Sequence, residues 1–196
     1  MQGSFETEGE GEAMLENEAK RKGMTLTYTG NGKGKTTAAV GIAVRAAGRG
    51  MKVRMIQFIK SPERTYGEKL ALAKLGIEVL PMGVGFTWLK TPEEHRQALQ
   101  SAWAEAKQTA MSGEYDVVIW DEIHNALAID RFPIDDVLSL EEVLQTIRNR
   151  PSHVHLVLTG RQAHEDVKAA SDLVSVIEPE KHYYEEGVQA IRGLEF

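Results

Sequence analysis

Gly30-Asn31-Gly32-Lys33-Gly34-Lys35-Thr36-Thr37 is the stretch with the clearest chemical content. Closely spaced glycines let backbone N–H groups approach an anion, a following helix N-terminus adds positive potential, and Lys35 supplies a point charge. The Thr36 hydroxyl is suited to Mg²⁺. The general phosphate-loop pattern G-x-x-x-x-G-K-[ST] asks for Gly at position 29, where this chain has Thr29, so the match is partial. A bare G-K-[ST] arises by chance in about one chain of this length in ten. The competing reading is an ordinary glycine-rich strand-to-helix turn; the surrounding glycines and lysines favour the phosphate loop. Val117-Val118-Ile119-Trp120-Asp121-Glu122 is the expected companion, a buried strand ending in acids that reach Mg²⁺ or its water shell. One acid alone at such a place is better read as a helix N-cap; combined with the loop, metal binding is favoured. No N-K-x-D, G-x-S-x-G or H-E-x-x-H occurs, which argues against a GTPase, a serine hydrolase and a zincin.

These residues need elements to hold them. Residues 24–29 read as a strand running into the loop. An Ala/Val-rich helix follows, from Thr36 towards Ala47, ended by Gly48 and Gly50. Strands are expected over 52–59, 77–82, 115–120, 153–159 and 173–177. A short helix over 67–75 stops at Gly76, and another lies around 165–170. Thr91-Pro92-Glu93-Glu94 opens a capped helix that continues to about Met111. Over 136–148, Val137, Leu140, Leu144 and Ile147 share one helical face. His153 and His155 point to one strand face and read as structural. Strands alternating with helices imply an α/β domain, with a mostly parallel sheet flanked by helices on both faces.

The chain has 196 residues and 42% hydrophobic content, enough for one domain with a substantial core. Its lack of cysteine excludes disulfides, Cys-ligated metals and a thiolate nucleophile. Of 29 acids, Glu6, Glu8, Glu10, Glu12, Glu16 and Glu18 lie in a leader with no base before Lys20; the other 23 acids match 23 bases. The net charge of −6 therefore belongs to that leader, and charge gives no support to nucleic-acid binding. Residues 1–23 are expected to be a flexible acidic segment and 24–196 the folded domain. No apolar run approaches the roughly 20 residues that span a bilayer, and no secretory signal is evident, so a cytoplasmic protein without a membrane partner is expected.

Thr29 to Ala39 (T-G-N-G-K-G-K-T-T-A-A), Gly85-Phe86-Thr87-Trp88, Val118 to Glu122, Thr159-Gly160-Arg161 with His164, and Pro179-Glu180-Lys181-His182 occur in this order. Together they closely resemble the ATP:corrinoid adenosyltransferases of the phosphate-loop type, over essentially residues 25–196. The Thr29 variant is itself a trait of that family. The resemblance implies a phosphate-loop NTPase-like fold and transfer of the 5′-deoxyadenosyl group of ATP to Co(I) of a corrinoid, releasing triphosphate. It also implies a homodimer, a reductase such as a flavoprotein to supply the electron, and Mg²⁺ or Mn²⁺. On this reading Gly30, Asn31, Gly32, Lys33, Gly34, Lys35, Thr36 and Thr37 hold the nucleotide, with Arg161 beside them. Thr36 and Glu122 serve the metal. Lys35, Glu122, Phe86 and Trp88 serve the reaction, the two aromatics closing the lower face of the corrin ring. His164 and His182 are weaker candidates. In relatives the N-terminal segment folds over the site; the short Glu/Gly-rich leader here departs from that pattern. The rival readings are a phosphate-loop ATPase or kinase, and a non-catalytic ATP- or corrinoid-binding regulator.

Overall fold

The computed structural model describes residues 22–85 and 90–195. Six strands form one sheet in the order β3-β2-β4-β5-β1-β6, with every pair parallel. They are β1 (Thr25–Thr29), β2 (Val53–Gln57), β3 (Glu78–Pro81), β4 (Val117–Asp121), β5 (His155–Thr159) and β6 (Leu173–Val176). Between them run α1 (Lys35–Ala47), α2 (Gly67–Ala73), α3 (Pro92–Ser112), α4 (Ile123–Leu127), α5 (Leu140–Asn149) and α6 (Glu165–Ala169). A 3₁₀ turn occupies Tyr183–Glu186.

Both sheet faces are covered, which explains why every residue of β4 is buried. On one face Ala39, Ala43 and Ala46 of α1 and Leu72 of α2 meet Val117 and Ile119. These small alanines let α1 lie close to the sheet and set the phosphate loop at its end. On the other face α3 and α5 pack Leu99, Trp103, Leu144 and Ile147 against Val118 and Trp120. Trp103 meets Trp120 edge to face at 5.4 Å and donates through its indole N–H to Glu142 at 2.9 Å.

The expected cap of α3 is present: Glu94 N–H donates to Thr91 Oγ1 at 3.2 Å, and Thr91 N–H to the Glu94 carboxylate at 2.8 Å. Helix α5 starts later than its apolar pattern suggests. Ser139 caps it by accepting from Glu142 N–H, while Val137 and Leu138 donate to Ile134 O in a preceding turn. The five-residue α4 was not anticipated, being too short to show a periodicity. Both histidines bind backbone: His155 Nδ1 accepts from Met24 N–H at 3.1 Å, and His153 Nε2 donates to Gly113 O at 3.2 Å. The acidic leader lies outside the described residues except for Lys22 and Gly23. Gly23 is held in the fold by Arg150 Nη2, which donates to its carbonyl at 3.0 Å. Among the described residues no helix is long and apolar enough to cross a membrane.

Candidate active site

The loop after β1 turns at Gly30 and reaches α1 through Gly34, whose φ of 121° is a conformation that side chains rarely tolerate. Gly32 is required for space instead. A Cβ there would lie 2.8 Å from Ile177 O, the carbonyl that accepts from Gly32 N–H at 2.7 Å. The segment after β6 thus braces the loop from behind. Lys35 folds back to donate to Gly32 O. Burial, and then the Arg161 guanidinium, hold its ammonium below the usual lysine range.

Helix α1 directs Thr36 towards the end of β4, two strand positions away from β1. Thr36 Oγ1 donates to Asp121 Oδ1 at 2.8 Å. Thr159, at the end of the intervening β5, donates to the same oxygen at 2.7 Å. The other oxygen of Asp121 accepts from Gln57 Nε2 at 3.0 Å and from Lys60 Nζ at 3.4 Å. Asp121 is fully buried, and these donors occupy both its oxygens. It works as the hub that aligns the loop with β4 and β5.

Glu122 has a different environment. Its φ is 64°, the left-handed region, and its backbone N–H donates to Thr159 Oγ1 at 2.9 Å. A non-glycine residue there costs about 1 kcal/mol or more, and the hub supports it. Glu122 begins α4 without capping it. No hydrogen bond to its carboxylate is found among the described residues. Burial, and then the Asp121 charge, push that carboxyl up to about 7.

A third carboxylate, Glu68 of α2, accepts from Lys60 at 2.6 Å and from Gln57 at 3.1 Å. Burial alone would lower the Lys60 pKa, but Asp121 and Glu68 outweigh it and raise it. Burial likewise opposes ionisation of Glu68, and Lys60 reverses the effect, holding it below the usual range.

These groups border one cavity of about 450 Å³, lined by Lys33, Gly34, Lys35, Thr36 and Thr37 together with Lys60, Glu68 and Glu122. An adjoining cavity of about 670 Å³ lies across the loop, where Asn31, Gly32 and Lys35 face Arg161 and His182. The structure therefore gathers the sequence-predicted residues of the loop, Glu122 and Arg161 into one region. His164 is not among them: it accepts from Asp166 N–H at the start of α6. Phe86 and Trp88 lie outside the described residues. Gly85, just before them, borders an apolar crevice of about 190 Å³ with Phe58, Ile59 and His95. Sequence reasoning did not foresee the hub role of Asp121, nor Gln57, Lys60, Glu68 and Thr159. The one available signal was Gln57 at the end of β2 with Lys60 just beyond it, which also reads as ordinary surface.

Comparison with known proteins matches residues 21–196 to the family described as ATP:corrinoid adenosyltransferase BtuR/CobO/CobP. The corrinoid adenosyltransferase of Escherichia coli K12 is 37% identical over 157 residues, covering 80% of this chain and 76% of the relative. The corrinoid adenosyltransferase CobA of Salmonella typhimurium LT2 is 36% identical over the same length and coverage. Among solved structures, the RadB recombinase shows a looser likeness, with a TM-score of 0.48 at 17% identity over 80% of this chain and 75% of that one. The chain belongs to the ATP:corrinoid adenosyltransferase family.

Proposed function

We propose that this chain transfers the 5′-deoxyadenosyl group of ATP to Co(I) of a corrinoid. The observation that carries the reading is the family match across residues 21–196, on a chain whose loop, Thr36 and Glu122 line one cavity, with Asp121 buried behind Thr36. In the reaction the electron pair of Co(I) forms a bond to the 5′-carbon as the carbon–oxygen bond to triphosphate breaks. Triphosphate leaves with the bonding pair of the broken carbon–oxygen bond. Co(I) is itself a strong nucleophile, so the protein's work is alignment and neutralisation of a leaving group that gains charge.

The loop N–H groups and Lys35 do the second job. Lys35 exchanges Gly32 O for a phosphate oxygen, a change its partly dehydrated ammonium favours. Lys33, Asn31 and Arg161 adjoin the same anion. The donor set also fits Mg²⁺ or Mn²⁺. Thr36 gives its proton to Asp121, leaving an oxygen lone pair free, and Glu122 offers a half-buried carboxylate with no hydrogen-bond donor among the described residues. A divalent ion held by Thr36 and Glu122 would neutralise charge on the phosphate chain. Phe86 and Trp88 close the lower face of the corrin ring, favouring a four-coordinate Co(II) that accepts an electron more readily from a flavoprotein-type reductase. The working form is a cytoplasmic homodimer.

A carboxyl near neutrality, as at Glu122, also suits a general base in a phosphate-loop ATPase or kinase. Products separate the two readings. Anaerobic incubation with chemically reduced cob(I)alamin and MgATP is expected to give a photolabile Co–C product and inorganic triphosphate. ADP and phosphate without a Co–C product would overturn the proposal.

A further inference from the structure

The segment 183–195 returns to the phosphate loop and occupies one of its lysines. Lys33 Nζ donates to Leu194 O at 2.7 Å and pairs with Glu195 Oε2 at 3.0 Å. The other oxygen of Glu195 accepts from the Tyr183 hydroxyl. Two of the three ammonium donors of Lys33 are therefore committed within the protein, and both carboxylate oxygens of Glu195 are held. Gly193, Leu194 and Glu195 form part of the wall of the cavity that contains Lys35, Thr36 and Glu122.

The charges around that cavity make this contact consequential. Its ionisable lining is Lys33, Lys35 and Lys60 against Glu68, Glu122 and Glu195, formally neutral in sum. A neutral lining is a poor receptor for a triphosphate carrying several negative charges, unless some of the acids are neutralised or moved. Glu68 is fastened to Lys60 and Gln57, with its side chain only 14% exposed. Glu122 sits at the end of the buried β4, where a cation or a proton can neutralise it. Glu195 differs from both. It is held through exchangeable polar contacts, on a stretch whose Val188, Ile191 and Leu194 are exposed. Its partner Lys33 is also open to solvent, with 36% side-chain exposure.

We propose that Glu195 is a positioning residue that competes with the nucleotide for Lys33. Triphosphate takes the place of the Glu195 carboxylate, Lys33 passes to the phosphate chain, and residues 187–195 part from the loop. When the adenosyl group has moved to cobalt, the returning carboxylate replaces the product on Lys33 and speeds release of triphosphate. The inference rests on the phosphate-loop reading above and adds to it the device that closes and reopens the site.

The test uses magnesium tripolyphosphate as the probe, with calorimetric binding to the wild type, Glu195→Gln, Lys33→Met and the double variant. An exposed ion pair of this kind predicts that Glu195→Gln tightens binding about two- to five-fold and slows release. The gain should vanish in the Lys33→Met background, which separates competition for Lys33 from a general loosening of the segment. Tyr183→Phe, which leaves Glu195 less firmly held, should shift binding in the same direction. Tripolyphosphate should also accelerate tryptic cleavage after Arg192 in the wild type. Unchanged or weaker binding by Glu195→Gln, a gain that survives in Lys33→Met, or no change in cleavage at Arg192 would overturn the proposal. Full tripolyphosphate binding by Lys35→Ala would instead refute the phosphate-loop reading, so the two failures are distinguishable.

Discussion

The charge of Glu122 is expected to lower the stability of the metal-free protein, and substituting it tests by how much. Its carboxyl is pushed up to about 7 in the folded state from the usual glutamate value of 4.5, because burial and then the neighbouring Asp121 disfavour the charged form. For an acid whose folded pKa is raised, the folded state holds a proton that the unfolded chain has already lost. Stability therefore falls as pH rises from 4.5 and stops falling above 7. A shift of this size corresponds to about 3 kcal/mol at pH 8 and under about 1 kcal/mol at pH 5. Glu122→Gln removes the charge at similar size. Urea denaturation in EDTA should then find the variant more stable than the wild type by about 3 kcal/mol at pH 8, and nearly equal to it at pH 5. Adding Mg²⁺ at pH 8 should stabilise the wild type more than the variant. A variant as stable as the wild type or less so at pH 8 would show that the carboxylate is already compensated within the protein, and would refute the reasoning.

Thr159→Val keeps the volume but removes the donor to Asp121 and the acceptor for Glu122 N–H, so a loss of about 1–3 kcal/mol is expected by urea denaturation. Lys35→Ala should reduce ATP-dependent turnover at least ten-fold while leaving the circular dichroism spectrum unchanged, since among the described residues its ammonium hydrogen-bonds the loop carbonyl of Gly32 and supports no core. Trp88→Ala should slow the reaction starting from Co(II) more than that starting from chemically supplied Co(I); equal loss in both assays would exclude the proposed role at the lower face of the corrin ring.

The phosphate loop was legible because its chemistry is local. Glycines, lysines and a threonine within eight residues of one another carry their spacing into any strand-loop-helix. The acids at the end of β4 were legible in the same way, as the close of a four-residue apolar run. Their division of labour was not. Asp121 is the last residue of the strand and points into a set of donors, whereas Glu122 leaves the strand through a left-handed backbone conformation and faces the cavity. Neighbouring carboxylates in sequence thus acquired opposite fates. Thr159 was visible only as part of a motif, and Gln57 and Lys60 not at all; the link of all three to Asp121 spans 38 to 64 residues of chain.

By itself the sequence determined the alternation of strands and helices, the anion-binding loop and the family, because each depends on periodicity or on residues close together in the chain. The tertiary structure alone decided that β5 lies between β1 and β4, and this order brings Thr159 between the loop and the acids. It also decided that Lys33 meets Glu195 across 162 residues, and that a loop rich in lysine opens into a cavity with as many glutamates. Charge in a sequence can be counted, but which charges meet is set by the sheet order and by the path of the last segment.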